Sequence, residues 1–148
     1  MKKLLAIIFA AILLLSGCGA GNVSLGRSEE IITDTDILKI KITDVSSSEI
    51  ALEIVNESKC EIGYEEYYSI EFSENGEWHK LKPKYEASFI EVAYILEKES
   101  TSTWGDSISR IYGELPQGEY RIIKHFTIYG SENDQGEKCT LAARFKIG

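Results

Sequence analysis

Apolar side chains recur at every second position through most of this chain. A β-strand imposes that period, because its successive side chains leave opposite faces. Leu38, Ile40 and Ile42 alternate with Lys39, Lys41 and Thr43, and Ile50, Leu52 and Ile54 alternate with Ala51, Glu53 and Val55. These runs are the first two expected strands, joined around residues 44–48. A third strand is expected over 67–73. Glu74-Asn75-Gly76 then leads into a fourth over 77–81, and Asn-Gly between two such runs is a strong hairpin signal because both residues tolerate positive φ. Pro83 ends that strand. Another is expected over 89–96 with 97–100 as its turn, and 101–104 begins the next. Residues 107–112 read as one short helical turn before a corner at Gly113. The last hairpin pairs 120–129 with 138–147 across the polar loop 131–136, and in its second arm Leu141, Ala143, Phe145 and Ile147 share a face. About seven to eight antiparallel strands and no long helix predict an all-β sandwich.

The first residues do not follow this period. Lys2 and Lys3 precede an unbroken apolar run of 12 residues, Leu4 through Leu15. That run suits the hydrophobic region of a signal peptide and falls short of the ~20 apolar residues needed to span a bilayer. It closes on Leu15-Ser16-Gly17-Cys18, which resembles the lipobox of bacterial lipoproteins. The resemblance implies cleavage before Cys18 and transfer of a diacylglyceryl group to its thiol, and two acyl chains anchor stably where one binds only marginally. The expected organisation is a lipoprotein signal peptide over 1–17, a lipidated Cys18 with a flexible tether over 18–28, and one β-sandwich domain over 29–148. The tether reading rests on Gly19, Gly21 and Gly26. The expected location is the extracytoplasmic face of the cell membrane, held there by the palmitate-type chains on Cys18.

Charge narrows the partners. The chain carries 16 basic and 24 acidic side chains. Loss of Lys2 and Lys3 with the signal segment leaves 14 against 24, a net charge of −10. That sign opposes nucleic acid and anionic lipid surfaces alike. The lipid, and not the protein surface, is therefore the expected link to the membrane.

Leu115-Pro116-Gln117-Gly118-Glu119-Tyr120 places a Pro-Gly turn before a Tyr that opens the penultimate strand. This is similar to the tyrosine corner of Ig-like and fibronectin-like domains, in which the phenol closes back onto the corner backbone. Together with Tyr67-Tyr68-Ser69-Ile70-Glu71, Gly76-Glu77-Trp78 followed by Leu81, Phe89 with Tyr94, and Trp104 followed by residues 111–124, the chain resembles the bacterial Ig-like domains of small lipoproteins over about residues 50–147. The resemblance implies an envelope-associated immunoglobulin-like or fibronectin-like sandwich and transfers no functional residue.

In such a sandwich the loop after the second strand and the loop before the last share a pole. Cys60 and Cys139 occupy those places, which makes them a disulfide candidate in an oxidising, extracytoplasmic setting. Free thiols are the alternative.

Candidate chemistry is sparse. His79 and His125 have no neighbour at zinc spacing, His79 is expected on the solvent face, and no phosphate loop or nucleophile elbow is present. Asp34 with Asp36, and Glu132 with Asp134, do not follow the spacing of a calcium loop. No metal, cofactor or catalytic residue is expected. The binding candidates are Tyr64 and Tyr67, flanking Glu65-Glu66, and Lys80, Lys82 and Lys84, a basic edge that also guards a strand against aggregation. Trp78 and Trp104 read as packing residues.

The favoured function is thus a non-catalytic binding or accessory module, with an envelope protein or a glycan as partner and no nucleic acid. A protease inhibitor on a related sandwich is the alternative, followed by an enzyme with an unrecognised carboxylate site. An exposed aromatic patch would favour the binder, an extended loop the inhibitor, and a deep acidic cleft the enzyme.

Overall fold

The computed structural model describes residues 24–130 and 135–148. Residues 1–23, which hold the expected signal peptide and Cys18, and residues 131–134 lie outside them. The described residues hold strands β1 (Ser24–Arg27), β2 (Leu38–Val45), β3 (Ile50–Asn56), β4 (Glu61–Glu65), β5 (Ser69–Glu74), β6 (Glu77–Leu81), β7 (Ala93–Leu96), β8 (Ser100–Asp106), β9 (Gly118–Tyr129) and β10 (Glu137–Ile147). One helical turn, α1 (Ser109–Tyr112), interrupts them. The strands form two antiparallel sheets. The smaller is β2-β3-β8; the larger runs β1-β6-β5-β9-β4-β7, with β10 along the opposite side of β9. Among the described residues no helix is long and apolar enough to cross a membrane.

The period-2 pattern becomes the core between these sheets. Ile50, Leu52 and Ile54 are all buried on one face of β3, and Leu52 pairs across to Trp104 of β8. Tyr120, Ile122 and Phe126 of β9 face them from the larger sheet, as do Leu141, Ala143 and Phe145 of β10. Ile108, Ile111 and Tyr112 plug one end, and the segment holding them is tied to the β2–β3 turn by Ser109 N–H to Ser48 O and Leu115 N–H to Ser47 O. The β5–β6 turn has φ of 52° at Asn75 and 80° at Gly76, as its Asn-Gly sequence requires. Tyr120 Oη donates to Pro116 O at 2.8 Å, which is the tyrosine corner read from the sequence.

Four expectations are corrected. The described residues form ten strands instead of seven or eight, because β1 and β4 are additional. Residues 24–28, within the expected tether, already belong to the fold: β1 pairs with β6, Ser28 N–H donates to Trp78 O, and Ser28 Oγ donates to the fully buried Glu71 carboxylate at 2.5 Å. Arg121 closes the same cluster with an Nε to Glu71 contact of 2.6 Å, its guanidinium over the Trp78 ring. His79 stacks on Phe72, a residue packed against the core, and so leaves the solvent face. Cys60 and Cys139 are free thiols. They flank β9 on opposite sides, Cys60 beside Gly130 and Cys139 opposite Phe126. Four residues of strand, ~13 Å, separate those levels, beyond the ~7 Å between Cα atoms that a disulfide spans.

Removing the corner hydroxyl with Tyr120→Phe leaves the ring in the core and the Pro116 carbonyl without that donor. A loss of about 1–2 kcal/mol is expected in denaturant unfolding, with an unchanged slope.

Candidate functional site

β4 and β5 both pair with the same side of β9, so they are two parts of one interrupted strand. Tyr64 pairs with Phe126 and Ser69 with Ile123, which sets four residues, Glu65 to Tyr68, opposite two, Lys124 and His125. Residues 65–67 therefore leave the ladder with β9, and their carbonyls need other donors.

Lys124 supplies them. Its place in the inward set of β9, between Ile122 and Phe126, drives the side chain into the core, where it is fully buried. The ammonium donates to Glu65 O at 2.9 Å, and lies 3.4 Å from Tyr67 O and 3.5 Å from Glu66 O. It also sits 3.9 Å from the centroid of Trp104 on the opposing sheet, a cation–π contact in a desolvated setting. The Glu66 carboxylate accepts from Trp104 Nε1 at 2.9 Å and from the Tyr94 hydroxyl. Burial lowers the Lys124 pKa to about 8, against the opposing pull of Glu66 and Asp106.

The interruption shapes the outer face. Tyr67 is turned outward, 40% exposed, with its ring nearly parallel to that of His125 and edge-on to Phe89. Further along β9, Tyr129 lies against Gly63 of β4: a Cβ on Gly63 would stand 2.7 Å from Tyr129 Cε2. On the other side of β9, a Cβ on Gly136 would stand 3.2 Å from Tyr129 Cδ1. Glycines on both flanking segments thus touch opposite edges of the ring, which lies across the sheet and stays 39% exposed. Between the aromatic ends, Lys138 Nζ donates to Thr127 Oγ1 at 2.9 Å and His125 Nδ1 pairs with Thr140 Oγ1 at 2.9 Å. The result is an open groove of about 390 Å³, with aromatic ends and a hydroxyl-bearing floor.

A family model described as a bacterial Ig-like domain matches residues 35–146 of the chain. The chain belongs to that family. No curated protein and no solved structure matches it.

Only part of the sequence-based candidate set belongs to the groove of this Ig-like domain. Tyr67 lines it. Tyr64 does not offer its ring to solvent: it is buried, stacked on Tyr94 with centroids 5.2 Å apart, and its hydroxyl meets Ser102 Oγ at 3.1 Å. Three positions apart, the two tyrosines fall on opposite faces, as strand alternation requires. Lys80 lies on β6, whose outer edge β1 pairs, while Lys82 and Lys84 follow that strand and stand apart from the groove. Lys80 pairs across to Glu71, Lys82 is exposed, and Lys84 lies against Gly113 with its ammonium 5.6 Å from the Tyr85 centroid. Among the described residues no group of three His, Cys, Asp or Glu side chains gathers to hold a metal.

Sequence reading missed Lys124, Gly63, Thr127, Tyr129 and Lys138. Two of them carried a signal. Lys124 breaks an otherwise apolar inward series, and Gly63 sits inside an alternating run, where glycine often marks a close approach.

Lys124→Met removes the donor to the three carbonyls, and a loss of about 2–4 kcal/mol is expected at pH 7. The wild-type Lys124 binds its proton less tightly folded than unfolded, so the unfolded chain holds more protons between the lowered and ordinary pKa values. Wild-type stability relative to the variant should therefore rise from pH 8 to 10.5, by up to about 3 kcal/mol. Parallel urea titrations of both proteins across that window measure it.

Proposed function

We propose that this chain is a lipid-anchored, extracytoplasmic binding module, non-catalytic, that takes its ligand in the groove between Tyr67 and Tyr129. One observation carries the reading: two exposed tyrosine rings are built into a rigid sheet face with polar side chains between them. Exposed aromatics on a rigid scaffold are what a binder needs, since they contribute contact area at low entropic cost. The membership in the Ig-like family supports a scaffold role with function placed on its surface. The basic and apolar N-terminus ending at Cys18 supports the anchor. Five residues lie between Cys18 and β1, and even fully extended they reach at most ~20 Å including the flanking bonds.

The outer-face hollow beside β1 is a weaker candidate for chemistry. It is lined by Glu29, Glu30 and Glu71 with Arg27 and Lys80, but the Glu71 carboxylate already accepts from Ser28 and Arg121.

Cells producing the full chain with a photo-reactive side chain at position 127 test both halves of the reading. The protein is expected in the membrane fraction, labelled by palmitate, with covalent adducts formed on illumination. Cys18→Ala should lose the label and the membrane location, and the same photo-reactive group at position 82 should give no adduct. An unlabelled wild-type chain would contradict the anchor; equal adducts at 127 and 82 would contradict the groove.

A further inference from the structure

The ligand class follows from how the groove is built, and this inference rests on the binding-module reading above. Its ends are aromatic faces, its floor is hydroxyl and amine, and the exposed Glu65 also lines it. Tyr129 is held across the sheet between glycines on two different segments and stays 39% exposed, which leaves ring surface for a ligand. At the other end the Tyr67 ring is fixed by Phe89 and His125, with centroids 5.1 and 6.3 Å away. His125 and Tyr129 stand four residues apart on β9, so the groove runs for ~13 Å.

A ligand that suits this surface has apolar faces for two rings and hydrogen-bonding groups along its edges. A pyranose has that form: axial C–H bonds make one face apolar, and equatorial hydroxyls ring its margin. Thr127 and Thr140 each keep hydrogen-bonding capacity beyond the single contact to Lys138 or His125, because a hydroxyl has one donor and two acceptor sites. Nucleobases would also stack on tyrosine, but a net charge of −8 on the whole chain, and −10 without Lys2 and Lys3, opposes a phosphate backbone. A protein hot spot is usually a desolvated pocket filled by an anchor side chain. This groove is shallow and open, with paired polar groups at its centre.

We propose that the groove between Tyr67 and Tyr129 binds a short stretch of neutral oligosaccharide, one sugar stacked on each tyrosine and the hydroxyls between them met by Thr127, Lys138 and Thr140. The same chemistry is offered by the cell's own wall glycan and by glucan chains from outside it.

The test uses the full chain purified in detergent, with two soluble probes: β-1,4-linked N-acetylglucosamine oligomers for wall-type glycan and β-1,4-linked glucose oligomers for the other source. Calorimetry and amide NMR shifts report binding. At least one series should bind, with affinity rising from the monosaccharide to the trisaccharide and with shifts confined to the Thr127 and Thr140 region. Tyr129→Ala and Tyr67→Ala should each weaken binding tenfold or more, while Lys82→Glu leaves it unchanged. Thr127→Val keeps the side-chain shape and should weaken binding severalfold, which covers the case in which a tyrosine variant fails to fold. Absence of shifts with both series, or binding indifferent to all three groove variants, would overturn the proposal. Capture of an envelope protein that depends on Tyr67 and Tyr129, with no sugar bound, would overturn the saccharide class and leave the binding module standing. Adducts from position 127 that persist unchanged in the Tyr67→Ala, Tyr129→Ala double variant would remove the groove reading itself.

Discussion

A single buried ammonium sets the geometry of the larger sheet. β4 and β5 would run as one strand along β9 were it not for two extra residues between them, and those extra residues leave carbonyls facing the core. Unpaired carbonyls in an apolar interior cost about 1–3 kcal/mol each. Lys124 meets three of them from the neighbouring strand and stacks on Trp104 from the opposing sheet, so one side chain satisfies the interruption and bridges both layers. Its burial lowers its pKa, which is the measure of what desolvation costs, and the contacts with carbonyls and ring are what keep it inside. Glu66, held by Trp104 and Tyr94, fixes the interruption from its other side.

The outer face depends on that arrangement. A shift of one residue would exchange faces, whereas two extra residues preserve the in-out alternation. Tyr64 and Tyr68 are accordingly buried while Tyr67 is exposed. The interruption also ends the β4–β7 ladder at Glu65 opposite Ala93, so β7 is four residues long where the sequence pattern continued back to residue 89. Beyond that point Phe89 is free to pack on Tyr67 and Tyr68. The interruption that Lys124 holds from the core side thus also shapes one end of the groove.

Much of the fold was legible because its signals are local. Alternation named β2, β3, the β5–β6 hairpin and the β9–β10 pair, and the Leu-Pro-Gln-Gly-Glu-Tyr segment named the corner that Tyr120 closes. β1 was illegible for a physical reason: Ser24–Arg27 buries little and is held by backbone pairing to β6 and by the Ser28–Glu71–Arg121 cluster, none of which leaves a periodic trace. β4 did alternate, with Ile62 and Tyr64 inward, but Gly63 obscured it. The groove was half legible. Tyr67 stood out among aromatics beside carboxylates, whereas Tyr129 becomes a binding surface only through glycines at 63 and 136 that topology brings to either side of it. The cysteine pairing failed because the two thiols flank β9 on opposite sides, four levels apart.

The most direct measurement is a lysine-resolved NMR titration of the Lys124 side chain. A clamped, buried ammonium should titrate at about 8, well below the other lysines, with its proton signals protected from exchange with water. A midpoint at the ordinary 10.5 with rapid exchange would mean that Lys124 is solvated, that the carbonyls of residues 65–67 are satisfied in some other way, and that the interruption does not depend on it.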